Sequence, residues 1–93
     1  MIELSGERLR VAGPMVMASA AELKKAGESA LASGARLVDL GAVTEADSAA
    51  VAILLAWVRA AQERHQALSI VATPDNIRSL ATLYGVADLL PFA

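Results

Sequence analysis

The residues best placed to take part in chemistry lie at one point of the sequence, where Asp47 and Ser48 precede a long apolar segment. A short polar side chain in this position caps a helix, because its oxygen accepts a hydrogen bond from a free backbone amide. The helix dipole also favours negative charge there, so a phosphate on Ser48 would be electrostatically acceptable and would change a nearby interface sharply. We therefore expect Asp47 or Ser48 to cap the helix, and Ser48 is a candidate phosphorylation site.

The sequence gives little support for a catalytic site. His65 is the single histidine and ends the same segment, where we expect a solvated turn residue. Without cysteine or a second histidine the usual zinc sites cannot be built, and no Gly-rich phosphate-binding loop is present. Asp39 and Asp47 could approach each other and do acid–base chemistry, but a polar loop cap explains them more simply. We predict that the chain is not an enzyme and binds no metal or cofactor.

The composition excludes several classes of partner. Of 93 residues, 56% are hydrophobic and 19% charged, and the net charge is -2. With no basic stripe and three aromatic residues, nucleic-acid binding is not expected. The longest apolar run, Ala49 to Val58, has ten residues, whereas a membrane-spanning helix needs roughly 20. The N-terminus lacks the pattern of a signal peptide, so we predict a cytoplasmic protein.

The first third of the chain predicts a hairpin followed by a helix. Alternating apolar and polar residues at 2–4 and 9–11 indicate two strands, joined by a turn at 5–8 and ended by Gly13-Pro14. Ser19 and Glu22 have the spacing of a capping box, which predicts a helix from about Ala20 to Ala32.

The remainder alternates strand and helix. Strands are predicted at 36–40 and 68–72, and a polar connection at 44–47 leads to a helix that ends near Arg64. Thr73 and Pro74 open a last helix, which Gly85 ends. These units predict one α/β domain over residues 1–93, in which an N-terminal hairpin and parallel strands form a mixed sheet packed by three or four helices.

The central helix is apolar on both sides over its first ten residues. At 100° per residue, one side must face the sheet; it carries Ala50, Val51, Leu54, Leu55, Trp57, Val58 and Ala61. The other side carries Ala49, Ala52, Ile53, Ala56 and Ala60. Alanine is tolerated on helix surfaces as a good helix former. An exposed apolar patch, however, usually marks an interaction site, and we favour this interpretation because Ile53 lies in the patch and Ser48 at its head.

The segment from Leu37 to Ala52 resembles the signature of STAS domains, in which anti-sigma-factor antagonists have Asp-Ser-Ser-Gly-Leu-Gly. Here the corresponding residues are Asp47-Ser48-Ala49-Ala50-Val51-Ala52. The resemblance is closer to the STAS subunits of Mla phospholipid transporters, which have Asp-Thr-Gly-Gly-Leu-Ala and a C-terminal Leu-Ala-Lys-Leu-Tyr before an apolar tail with Leu-Pro. Leu80-Ala81-Thr82-Leu83-Tyr84 and Leu89-Leu90-Pro91 are similar.

This resemblance implies a STAS-like fold and a cytoplasmic subunit that docks on the ATPase of an inner-membrane ABC transporter without cleaving nucleotide. The expected contacts with the partner are Asp47, Ser48, Ala49, Ala52, Ile53 and Ala56. An anti-sigma-factor antagonist, switched by a serine kinase, remains the alternative. In that family the phosphorylated serine corresponds to Ala49, and the paired glycines of the STAS motif correspond to Ala49 and Ala50. A homodimer through the same patch also stays open.

Overall fold

The computed structural model describes all 93 residues and contains four strands and three α-helices. The strands are β1 (Ile2–Ser5), β2 (Arg8–Met15), β3 (Leu37–Ala46) and β4 (Ser69–Val71), and the helices are α1 (Ala20–Ala32), α2 (Ser48–Glu63) and α3 (Asp75–Leu83). Short 3-10 turns precede α1 at Met17–Ser19 and follow α3 at Ala87–Leu89. The predicted order of strands and helices is confirmed.

The strands form one mixed sheet in the order β1-β2-β3-β4. The hairpin β1–β2 is antiparallel, whereas β2–β3 and β3–β4 are parallel. Gly6 has φ 61° in the hairpin turn, a conformation that glycine adopts at little cost. The predicted α/β fold, with an antiparallel hairpin added to parallel strands, is therefore confirmed.

Two strands are longer than the sequence predicts. We expected Gly13-Pro14 to end β2 and a polar connection to begin at Thr44, but Pro14 pairs with Glu45 and Met15 with Ala46. The register shifts between Gly13 and Pro14, and Gly13 has φ 90°. A bulge of this kind accommodates proline within a strand, so the β2–β3 ladder continues to the start of α2.

Two predicted helix caps are wrong. Ser19 makes no capping bond to α1, because its hydroxyl belongs to the preceding 3-10 turn and accepts a hydrogen bond from the Val16 amide at 3.2 Å. Thr73 does not cap α3 either, since Pro74 is extended and occupies the cap position, so the helix begins at Asp75. The predicted helix end is confirmed, with Gly85 at φ 71° after Tyr84.

The helices cover one face of the sheet. Buried side chains of alternate strand positions, such as Leu9, Val38 and Ile70, join buried side chains of all three helices in one core. The opposite face carries Arg8, Arg10 and Asp39; the two arginines are exposed, and Asp39 is intermediate in exposure. No helix has the length and apolar character required to cross a membrane. This two-layer arrangement brings the N-termini of α1 and α2 together at one end of the molecule.

Candidate partner-binding face of the central helix

Asp47 connects the starts of α1 and α2. Its Oδ1 accepts a hydrogen bond from the Ala49 amide at 2.8 Å and its Oδ2 accepts one from the Met17 amide at 3.1 Å. The sequence left the cap to Asp47 or Ser48, and the structure assigns it to Asp47. Ser48 is exposed at the first helical position, and its hydroxyl makes no hydrogen bond within the chain.

One side of α2 packs on the sheet as predicted. Ala50, Leu54 and Trp57 are fully buried, and Leu55 and Val58 at the edges are half-buried. The Trp57 indole N–H donates to the Lys24 carbonyl oxygen at 3.2 Å, so the ring also contacts α1. The sheet-facing side of α2 is thus covered by β-strands and bounded by α1.

The expectation that the second side of α2 is open is wrong for two residues. Ile53 is 2% exposed and Ala49 is 6% exposed, because α1 lies beside α2. Ala52 remains exposed, and Ala56 and Ala60 are half-buried. In the N-terminal half of α2, the exposed part is therefore a narrow ridge from Ser48 through Ala52, rather than a broad apolar face.

A groove runs along this ridge between α1 and α2, with a volume of about 370 Å³. All four apolar residues expected to contact a partner line it: Ala49, Ala52, Ile53 and Ala56. Although Ile53 and Ala49 expose little area, they form the floor of a groove that a partner side chain could enter. The other wall comes from the start of α1 and the turn before it, where Met17 is 72% exposed.

A second groove of about 320 Å³ lies on the other side of the ridge, between α2 and the segment after α3. Ser48, Ala52 and Leu55 line it from α2, and Tyr84 and Val86 from the facing wall. We did not predict Tyr84 as a surface residue, because it continues the apolar spacing of α3. Its position beside Gly85, at the end of the helix, leaves 54% of it exposed. Ala52 lines both grooves, so the ridge stands between two apolar depressions.

The two aspartates are not brought together. Asp39 accepts hydrogen bonds from the Gly41 amide at 2.8 Å and from Arg8 at 2.6 Å. Asp47 lies beyond the far end of β3, and eight residues of extended chain span more than about 20 Å. The approach of these two carboxylates, which the sequence left possible, does not occur, because β3 continues to Ala46.

The remaining ionisable groups are dispersed. His65 is exposed at φ 55° after α2, as expected of a turn residue. No group of three or more His, Asp or Glu side chains is arranged to hold a metal ion. The pKa of Asp39 is lowered, first by the hydrogen bond from the Gly41 amide and further by Arg8, whereas burial acts in the opposite direction. Asp39 lies away from the ridge, and its carboxylate forms hydrogen bonds with residues of β2 and β3.

Solved structures with this fold include anti-sigma factor antagonists. The unphosphorylated form of the anti-sigma factor antagonist SpoIIAA superposes with a TM-score of 0.73 at 12% identity, covering 100% of this chain and 86% of SpoIIAA. An anti-sigma factor antagonist from Mycobacterium paratuberculosis gives a TM-score of 0.74 at 21% identity, covering 99% of this chain and 81% of that one. At sequence identities this low, the structural similarity is evidence for the fold alone.

The mixed sheet, the helices on one face and the Asp-Ser start of α2 define a STAS-type domain. The chain belongs to the family described as "Mlab, STAS domain", which matches residues 2–91. Domains of this class act by binding other proteins. No curated protein matches the chain in sequence.

Proposed function

We propose that this protein is the non-catalytic STAS subunit of an Mla-type phospholipid transporter, and that it binds the ATPase subunit through the N-terminal half of α2. The protein would lie in the cytoplasm and reach the inner membrane only through this partner. The observation that carries the proposal is the exposed ridge from Ser48 to Ala52, which has an apolar groove on either side. The MlaB-like family supports the choice of partner.

The shape of the ridge favours a protein partner. Alanine methyl groups allow the backbone of another chain to come close, and grooves on both sides can receive larger side chains. Since Asp47 already caps α2, the Ser48 hydroxyl is free to hydrogen-bond across an interface. The chain differs from the family motif by methyl groups at Ala49 and Ala50, but Ala50 is fully buried and Ala49 nearly so. The Ala50 methyl group is therefore removed from the contact surface, and the Ala49 methyl group contributes only to the floor of the groove.

Co-purification with the ATPase from the native host tests the proposal. We expect Ala52→Arg and Ser48→Glu to release the ATPase, because each places a large or charged group on the ridge. The matched control is Ala32→Arg, which adds the same side chain at an exposed position at the end of α1. If both ridge variants retain the ATPase as the control does, the docking face is wrong.

The second candidate function is an anti-sigma-factor antagonist switched by phosphorylation. It is favoured by the exposed hydroxyl of Ser48, which has no hydrogen bond to lose on modification. The position that corresponds to the phosphorylated serine of that family is Ala49, which cannot be modified. Mass spectrometry after incubation with the host's serine kinases separates the candidates: phosphate on Ser48 supports the switch, and an unmodified chain that binds the ATPase supports the transporter subunit.

A homodimer through the same ridge is a further arrangement for the isolated protein. Light scattering across a concentration series measures it, and Ala52→Arg should abolish any dimer that uses the ridge.

A further inference from the structure

The groove between α1 and α2 has a charged end. Of the nine residues that line it, seven are hydrophobic and the other two are Lys24 and Arg59. No carboxylate lines the groove. The two ion pairs of the protein, Arg8–Asp39 and Arg36–Glu7, involve neither cation. An apolar groove with two unpaired positive charges selects for a ligand that is apolar along its length and negative at one point.

The two cations lie toward the same end of the groove. The hydrogen bond between Asp47 and the Met17 amide fixes the starts of α1 and α2 side by side. Further along, the Trp57 indole donates to the Lys24 carbonyl oxygen. The helices therefore run in the same direction, with Met17 at the apolar end and Lys24 and Arg59 at the other.

The acidic residues one helical turn after these cations do not neutralise them. Glu28 and Glu63 follow Lys24 and Arg59 by one helical turn, but neither lines the groove or forms an ion pair. From Ala49 to Arg59 the groove wall extends for ten residues of helix, or about 15 Å. A helical segment of about ten residues could lie along it.

We propose that this groove receives an apolar segment of the ATPase subunit that carries a carboxylate facing Lys24 and Arg59. The inference rests on the proposed docking of the ATPase on α2 and specifies the chemistry of the segment that docks. Met17 is largely exposed at the opposite end, and a methionine side chain is unbranched and adaptable, so it can adjust to the apolar part of the segment. A peptide is favoured over an anionic lipid because Ala52 lines both grooves, so that one protein surface can cover the ridge and both depressions together.

Charge reversal tests the inference with the full-length chain and the purified ATPase subunit. We expect Lys24→Glu with Arg59→Glu to weaken the affinity at least about tenfold at low salt. The matched control reverses Lys25 and Arg64, which are exposed, have the same charges and line neither groove. Binding by the wild type should weaken as NaCl rises from about 50 to about 500 mM, whereas binding by the groove variant should not weaken, because salt screens the repulsion between its glutamates and the partner's carboxylate.

Carbodiimide cross-linking of the complex gives a second measurement that needs no variant. The reagent joins an amine directly to a carboxylate, so we expect mass spectrometry to find Lys24, and not Lys25, linked to an Asp or Glu of the ATPase. Absence of a Lys24 cross-link from an intact complex would contradict the inference.

The outcomes distinguish this inference from the proposed function. If Ala52→Arg releases the ATPase but reversal of Lys24 and Arg59 has no more effect than the control, the acidic segment is wrong and the docking face stands. If neither Ala52→Arg nor the reversal of Lys24 and Arg59 changes binding, the docking face and the acidic segment are both wrong. If the groove variant keeps the ATPase but loses binding to phosphatidylglycerol vesicles that the wild type retains, the groove recognises a lipid anion and the inference is overturned.

Discussion

The indole ring of Trp57 lies directly against Gly27, so that a methyl group built on Gly27 would overlap the ring. Glycine is the poorest helix former apart from proline, yet Gly27 occupies the middle of α1. The close approach of α1 and α2 accounts for it, since any side chain at this position would push the helices apart.

We predict that Gly27→Ala lowers the free energy of unfolding by about 1–3 kcal/mol, because the cost of overpacking a fully buried ring exceeds the gain in helix propensity. Urea denaturation followed by tryptophan fluorescence measures it. Ser29→Ala, at an exposed position of the same helix, should leave stability unchanged within about 0.5 kcal/mol. An unchanged or raised stability for Gly27→Ala would mean that the two helices can separate freely.

Asp39 should make stability depend on pH. Its pKa in the folded state is lowered below the ordinary value of 3.8, chiefly by the Gly41 amide and then by Arg8. A lowered pKa means that the carboxylate stabilises the fold above the unfolded-state pKa, and that this contribution is lost as the pH falls through the folded-state value. Asp39→Asn should therefore cost about 1 kcal/mol at pH 7, and the difference from the wild type should shrink as the pH falls below about 4.

Thermal unfolding at a series of pH values measures this difference. The control is Glu7→Gln, which removes a loose, exposed pair with Arg36 at 3.9 Å and should change little at any pH. If Asp39→Asn lowered the free energy of unfolding by the same amount from pH 7 to pH 3, the charge of Asp39 would not contribute to stability.

The sequence predicted which helices and strands are present better than it predicted where they begin and end. The predicted bounds of α1 agree with the structure although the predicted cap at Ser19 does not form, and the end of α3 at Gly85 follows from a local signal that the structure retains. The predicted ends at Gly13-Pro14 and Thr44 fail because both strands continue as partners of each other. The backbone groups at the ends of β2 and β3 form hydrogen bonds with each other, although the local sequence of each segment is typical of a loop. The sequence of one strand alone does not show that a distant segment will pair with it.

The same limit applies to the candidate site. Helical periodicity placed Ile53 and Ala52 correctly on the side of α2 away from the sheet, but it does not say which of them a neighbouring helix covers. α1 covers Ile53 and leaves Ala52 exposed. The relation of Lys24, Arg59 and Tyr84 to the ridge was not predicted, because it depends on how three separate helices pack.

Asp47 should couple the starts of two helices. Asp47→Ala removes acceptors for the amides of Ala49 and Met17, and we expect a loss of about 1–2 kcal/mol in the free energy of unfolding. Asp47→Asn keeps an oxygen for only one of these amides, so its cost should be smaller. Denaturant unfolding ranks the variants, and equal costs for Ala and Asn would contradict the bridging role.

Hydrogen exchange at the Met17 amide distinguishes coupling from simple capping. The amide lies outside α2, so a change that affected only the cap of α2 would leave its exchange rate unaltered. We expect exchange at Met17 to accelerate in Asp47→Ala, since the hydrogen bond at 3.1 Å is lost.

Tyr84 should contribute to binding and little to stability. The Tyr84 residue lines the second groove and is 54% exposed, and truncation of a tyrosine that is a hot spot of an interface costs about 2 kcal/mol or more in binding free energy. We predict that Tyr84→Ala weakens the affinity for the ATPase about thirtyfold, while the free energy of unfolding changes by less than about 1 kcal/mol.

Leu83→Ala is the matched control for this variant. Leu83 precedes Tyr84 and is 75% exposed, but it points into a different depression, with Arg78 and Thr82, that α2 does not line. If the partner covers both sides of the ridge, the two neighbouring truncations must differ, because only one of them removes a wall of the groove beside Ser48. Equal affinities for Tyr84→Ala and Leu83→Ala would confine the interface to the groove between α1 and α2, where Lys24 and Arg59 lie.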